Sequence, residues 1–251
     1  MFIDTHCHIH DRETYDFAIS RQQKKSEEDF SPRQILKRAR NNNVRKMIVV
    51  GTSEKDSLLA RDFASAEKDV YWSWGVHPDE AEEYGLSEPV DNPVAIGEVG
   101  LDYHNGTDCR EAQIKMLRMM IGFAKTRDLP LIFHVRDAFD DFWPIVDELG
   151  VERAVIHSFS DSEENLKKAL DRGFYIGVNG LATFTDLPTP PLSRTLLETD
   201  APFLAPVPVR GRVNEPSYVP FIAEFLAEKH GVDVKEIARI TTKNAQDLFG
   251  I

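Results

Sequence analysis

The chain carries imidazoles and carboxylates of the kind that bind divalent cations. The stretch MFIDTHCHIH holds Asp4, His6, Cys7, His8 and His10. Its histidines alternate with Thr5, Cys7 and Ile9, unlike the unbroken run of an affinity tag. Alternation predicts a strand, with Asp4, His6 and His8 on one face and Ile3, Thr5 and Cys7 on the other. Further along stand His77, Glu98, Asp102, His134, Arg136, His157 and Asp200, each at or near the end of a short apolar run. A lone histidine at such a place is more often a hydrogen-bonded structural residue; the same pattern on five runs points to a metal site. Imidazoles and carboxylates without cysteine suit Zn, Mn or Fe, and tolerate Mg where carboxylates dominate. Four histidines and two carboxylates exceed what one tetrahedral ion takes, whereas two ions sharing a carboxylate would use them all.

The elements that must position these residues are legible from periodicity. Strand-like runs recur at FIDTHCHI, KMIVVGT, YWSWGVH, VAIGEVGL, LIFHVR, AVIHSF, FYIGVN and TLLETDA. Stretches with helical spacing of apolar residues separate most of them, such as PRQILKRARNNN and SEENLKKALDRG. This order predicts parallel βαβ units and an α/β fold, a (β/α)8 TIM-type barrel taking residues 1–251 as a single domain. In such a barrel the C-terminal strand ends converge on one mouth, where the chemistry is done. Gly150 and Gly173 stand where left-handed helix caps are wanted. Residues 218–230 and 233–249 predict two closing helices, the second with Asp233 and Glu236 as a capping box. Residues 11–30 are mostly polar and predict an inserted loop. TFTDLPTPPLS, with its prolines, cannot carry a crossover helix, so the barrel is expected to be irregular between strands seven and eight.

Composition bounds the function. Thirty basic against 42 acidic residues give a net charge of −12, which argues against a sequence-independent grip on duplex nucleic acid. It does not exclude an enzyme acting on nucleic-acid ends, with positive charge confined to one mouth. Two cysteines make no disulfide framework and, as free thiols, fit a reducing cytoplasm. Apolar runs such as MIVV are far short of a membrane span, and a secretory signal is not expected from the residues that follow the start. Neither a membrane nor an obligate protein partner is expected. Bland readings suffice for several residues: His10 as surface, His104 as loop, His230 as a helix-end cation, and Cys7 as a small buried hydrophobe. Met116, Met119, Met120, Tyr71, Trp72 and Trp74 read as core or wall.

Taken in order, DTHCHI, GVHP, GEVGLDY, FHVRDA, IHSFS, LLETDAP, RGRVNEP and TTKNAQDLFG resemble the TatD family of metal-dependent hydrolases, barrel deoxyribonucleases of the amidohydrolase-like superfamily. The resemblance implies two divalent ions, Mg, Mn or Zn. His6 and His8 would bind the first ion, Glu98 would bridge both, His134 and His157 would hold the second, and Asp200 would complete the first site. Asp200 would also take a proton from the attacking water, and Asp4 would orient a ligand histidine. His77, Asp102 and Arg136 are expected to contact substrate, since the arginine fork matches phosphate oxygens. Arg210 and Arg212 would add positive charge at the mouth. Departures from the family pattern, the polar insert at 11–30, the proline-rich link and Asp161 in place of a glycine, concern substrate rather than metal.

The leading expectation is a nuclease acting on single-stranded DNA ends. An ester or amide hydrolase, such as a D-aminoacyl-tRNA deacylase, would use the same ligands. A non-catalytic metal-binding partner protein ranks last.

Overall fold

In the computed structural model, residues 1–22, 28–82, 88, 91–104, 106 and 108–251 are described. Eight strands form where the apolar, β-branched runs lie: β1 (Phe2–Cys7), β2 (Val44–Val50), β3 (Val70–Val76), β4 (Ala95–Asp102), β5 (Leu131–Arg136), β6 (Ala154–Ile156), β7 (Tyr175–Val178) and β8 (Thr195–Leu197). Each pairs in parallel with the next, in sequence order. Beyond the last formal strand, Asp200 N donates to His6 O (2.9 Å) and His8 N to Ala201 O (2.8 Å), which brings β8 back to β1. The (β/α)8 barrel expected from the sequence is the fold observed.

The helices are α1 (Arg12–Arg21), α2 (Pro32–Asn41), α3 (Glu54–Ala66), α4 (Arg110–Arg127), α5 (Phe139–Glu148), α6 (Glu163–Asp171), α7 (Val219–His230) and α8 (Val234–Phe249). Gly150 (φ 59°) and Gly173 (φ 76°) take the left-handed conformation expected of them. Asp233 caps α8 through Lys235 N, but the capping box is not completed, because the Glu236 carboxylate pairs with Arg239. Between β7 and β8 the chain makes only short 3-10 turns, Gly180–Thr183 and Leu192–Arg194, as the prolines dictate. Asn244 of α8 donates to Leu192 O and Thr195 O (2.8 Å each) and so fastens this helix-free link. Among the described residues no helix is long and apolar enough to cross a membrane.

The polar insert is helical over Arg12–Arg21, where the sequence predicts a loop. Asp11 accepts from Glu13 N and Thr14 N and caps α1. Tyr15 buries one face of this helix and donates its hydroxyl to Asn214 O (3.3 Å). One aromatic anchor and one cap order a segment whose composition reads as solvated. Residues 23–27 of the insert lie outside the described residues.

Two apolar layers make the core. Trp74, Phe133, Phe142 and Phe174 lie in the layer between strands and helices, together with Cys7. Ile3, Ile48, Val50, Ile132, Val155 and Leu196 fill the barrel, and Ala245, Leu248 and Phe249 of α8 close it below. Side-chain alternation does not run unbroken through β1, whose register with β2 shifts between Asp4 and Cys7. Ile3 therefore packs inside the barrel while His6, three residues on, also points inward; such a shift re-aims a side chain. Asp4 leaves the histidine face.

The approach of β4 to β5 sets the mouth. Gly100 faces His134, and a Cβ built on it would lie 1.7 Å from His134 O. Gly100→Ala must force the two strands apart, at a cost of about 3 kcal/mol. A fall in Tm of roughly 6–12 °C by thermal denaturation is expected, and an unchanged Tm would refute the constraint.

Candidate metal centre

Strand ends bring five imidazoles and two carboxylates to one place. His6 Nε2 lies 3.3 Å from Glu98 Oε2, and His157 Nε2 lies 3.2 Å from Glu98 Oε1. The His6 and His157 rings stack across the mouth with centroids 3.7 Å apart. His134 Nδ1 is 2.7 Å and His77 Nε2 3.7 Å from Glu98 Oε1. Asp200 Oδ1 sits 3.5 Å from His8 Nε2 and 3.8 Å from His6 Nε2. Three groups have ligand atoms within 4.8 Å of one another: His6–His8–Asp200, His6–Glu98–His157 and His77–Glu98–His134. Donor atoms around one tetrahedral ion with bonds of about 2.1 Å stand about 3.4 Å apart, so these separations suit shared cations.

Hydrogen bonds to the far ring nitrogens fix which atom each imidazole presents. His8 Nδ1 donates to Val50 O (3.0 Å), leaving the Nε2 lone pair facing Asp200. His157 Nδ1 donates to Glu198 Oε1 (3.2 Å), leaving Nε2 toward Glu98. His134 Nε2 donates to Asp102 Oδ2 (3.0 Å), leaving Nδ1 toward Glu98. His77 is the opposite case: its Nδ1 accepts from Asp79 N (3.2 Å), so its proton sits on Nε2, the atom nearest Glu98. His77 therefore presents a donor, where the other three present lone pairs. Of the far nitrogens, only His6 Nδ1 lacks a partner among the described residues.

The electrostatics follow from burial. Loss of solvent would raise the Glu98 carboxyl, but His157, His6 and the hydrogen bond with His134 outweigh it and hold it well below the carboxylate range. Asp200 is likewise held low against burial by His8, His157 and His6. Burial opposes charge on His8 and His134, yet Asp200 and Asp102 with Glu98 push both up to about 9. Burial wins at His77, which drops to about 4. The carboxylates thus draw positive charge into the cluster, and protons occupy the places that cations would take.

The remaining sequence expectations divide. Asp102 faces His134 rather than standing free, while Arg136 is exposed at the end of β5. Arg210 and Arg212 lie on the segment after β8 and do not enter the carboxylate–imidazole cluster; Arg210 is exposed and lies over the Phe184 ring, 3.4 Å from its centroid. His10 is not a surface residue. Its side chain is fully buried because Asp56, at the start of α3, accepts from Nε2 (3.0 Å). Asp4 orients no ligand ring: it accepts from Thr199 N (2.9 Å) and Thr199 Oγ1 (2.6 Å), tying β1 to the end of β8. Cys7 is a bystander whose buried thiol is pushed well up and reaches Ile48 O. His104 is half-exposed and paired with Asp137 (2.9 Å). Trp72 and Trp74 are core.

Glu198 is the residue that sequence reasoning misses. It is 1 % exposed, accepts from His157 Nδ1 and from Ser158 N (2.6 Å), and fills the space left by Gly177, where a Cβ would lie 2.3 Å from its Oε2. Its signal is parity: in LLETDAP it precedes Asp200 by two residues, a second acid in an otherwise apolar strand end.

Comparison with known proteins gives matches along nearly the whole chain. Residues 3–250 match the family described as TatD related DNase. The chain is 35% identical to an uncharacterized metal-dependent hydrolase of Bacillus subtilis, YabD, over 100% of both chains. It is 34% identical to the 3'-5' ssDNA/RNA exonuclease TatD of Pantoea ananatis, over 86% of this chain and 92% of that one. The solved structure of the TatD homologue YjjV from Escherichia coli K12 superposes with a TM-score of 0.84 at 28% identity, covering 100% of this chain and 98% of that one.

Glu198→Ala frees the His157 ring. It is expected to weaken Mn2+ binding about 10–100-fold by isothermal titration calorimetry, with the far-UV circular dichroism spectrum retained. Unchanged affinity would show that His157 needs no orienting partner.

Proposed function

The chain belongs to the TatD family of metal-dependent hydrolases, and on that premise we propose that it cleaves phosphodiester bonds at single-stranded DNA ends using two divalent ions, Mg, Mn or Zn. The observation that carries the reading is Glu98, a buried carboxylate reached by imidazoles from four different strands. His6, His8 and Asp200 would hold one ion and His134 and His157 the other, with Glu98 shared. The donor set fits, since nitrogen lone pairs and carboxylate oxygens converge, and no lysine or arginine among the described residues pairs with Glu98 or Asp200. When bound, such ions supply Lewis acidity, lower the pKa of water and offset phosphate charge.

The chain's own groups do the rest. Asp200 is ionised and sits at the edge of the cluster, so it is the group to accept the proton of the attacking water. His77, neutral with its proton on Nε2, donates to a phosphate oxygen at the position where Glu98 and His134 meet. Arg136, exposed at the mouth, meets a second phosphate oxygen. Asp102 acts through His134, holding its ring. The nuclease substrate is favoured over a carbon ester because both extra contacts are anion-binding donors, and because the Pantoea ananatis relative carries an exonuclease name. The free thiols Cys7 and Cys109 fit a reducing cytoplasm.

End-labelled single strands incubated with Mg2+, Mn2+ or Zn2+ should be shortened, and EDTA should stop the reaction. Glu98→Gln is expected to lower kcat about a hundredfold or more. His77→Ala is expected to lower kcat/KM about tenfold or more while leaving Mn2+ affinity unchanged in calorimetry. Absence of chelator-sensitive cleavage with every metal would overturn the reading, and cleavage of an aminoacyl ester instead would redirect it.

A further inference from the structure

A groove of about 610 Å³ lies beside the candidate centre, between α1 and the segment that follows Asp200. Its walls leave β1 and β8 immediately after His8 and Asp200, and Phe203 N donates to Asp200 O (2.9 Å). It therefore opens from the same mouth. Its floor is fixed: Asn214 Nδ2 donates to Phe203 O (2.6 Å) and Thr199 O (2.8 Å), and Tyr15 of α1 bonds Asn214 O.

The lining has an unusual composition for this chain. Arg21, Arg210 and Arg212 line it, with no acidic residue among the described lining residues, on a protein whose net charge is −12. None of the three forms an ion pair with a described residue; Arg21 lies over Phe17, 4.4 Å from its ring centroid, and Arg212 meets the Tyr218 hydroxyl. Many arginines elsewhere pair with carboxylates, as in Arg118–Glu148 and Arg172–Asp147, and those that do not, such as Arg45 and Arg194, stand singly rather than in a cluster. Phe17 and Phe203 present rings to the groove and are 49% and 40% exposed. Guanidinium groups without carboxylate partners, interleaved with exposed aromatic faces, are what a single-stranded polynucleotide requires, cations for its phosphates and flat rings for its bases.

We propose that this groove holds the nucleotides of the substrate strand that lie beyond the bond being cut, with phosphates on Arg21, Arg210 and Arg212 and a base against Phe203. This rests on the phosphodiesterase reading for its link to catalysis. The insert at 11–30 thereby gains a role, because α1 supplies one wall of a strand-binding channel. The groove also explains how an acidic protein grips a polyanion, by concentrating positive charge that no carboxylate neutralises along one path. An acidic peptide shares the charge but offers no bases for the rings.

Binding of fluorescein-labelled decathymidylate to the full chain in EDTA, followed by fluorescence anisotropy, tests the groove without catalysis. The double variant Arg21→Ala/Arg212→Ala is expected to weaken binding about tenfold or more. It should also reduce the slope of log Kd against log salt by about 0.7 for each phosphate contact removed. Arg45→Ala/Lys235→Ala, the same charge change at the opposite end of the barrel, should bind as the parent does. Phe203→Ala is expected to weaken binding about tenfold with the salt slope unchanged. With Mn2+ present, the groove variants should raise KM for decathymidylate but leave cleavage of a dithymidylate unaltered. Parental binding and KM in the groove variants, with cleavage intact, would overturn the groove while leaving the phosphodiesterase reading standing. Should the parent cut neither substrate, that reading falls, and the anisotropy comparison alone decides the groove: no binding, or equal binding by the variants, overturns it. Displacement of decathymidylate by polyglutamate as readily as by unlabelled decathymidylate would also overturn it.

Discussion

A carboxylate taken out of water must be surrounded by positive charge or hydrogen-bond donors, and Glu98 is such a carboxylate, 4 % exposed at the barrel mouth. β1, β3, β5 and β6 each deliver an imidazole to it, and the strand ends are spaced by that demand as much as by packing. The cost of burying the acid is offset only when all these elements are in register, so the fold and the site stabilise one another. Two cores divide the work: the layer beneath the helices holds the strands, and the layer inside the barrel lifts the polar ring to the rim.

Around this centre lies a set of partners that gives each histidine its role. Val50 O, Glu198 and Asp102 take the far protons of His8, His157 and His134, while Asp79 N gives one to His77. Rings of one chemical type thereby become acceptors toward a cation or a donor toward an anion. A further chain of contacts, Asp4 to Thr199 and Thr199 O to Asn214, fixes the segment carrying Asp200. Arg38 of α2 pins the neighbouring Glu215 at 2.6 Å, so the loop after β8 is fastened from two helices.

Most of the barrel is legible in the sequence because parallel strands covered on both sides read as apolar runs, and helices between them as amphipathic ones. The residues of the centre are legible because polar groups at the ends of such runs stand out. What is not legible depends on contacts distant in the chain. Tyr15 orders α1 through Asn214, 199 residues away. His10 is buried by Asp56, and Asp4 turns to Thr199 because of a register shift that periodicity does not reveal. Glu198 hides beside Asp200, since neighbouring acids read as one feature until the backbone separates them.

The seal made by α8 has a consequence for the order in which the protein can mature. Its Leu248 and Phe249 plug the barrel, and its Asn244 satisfies the carbonyls of the link that has no helix. His6, which depends on Glu98 and Asp200, is made before either of them, and the plug of α8 follows all three. On the ribosome the early strands must wait, with the interior open below, until the closing helix has cleared the exit tunnel. The cation cage therefore forms only once α8 has been made: a chain released before it carries the histidines of β1 but not the enclosure that makes them ligands.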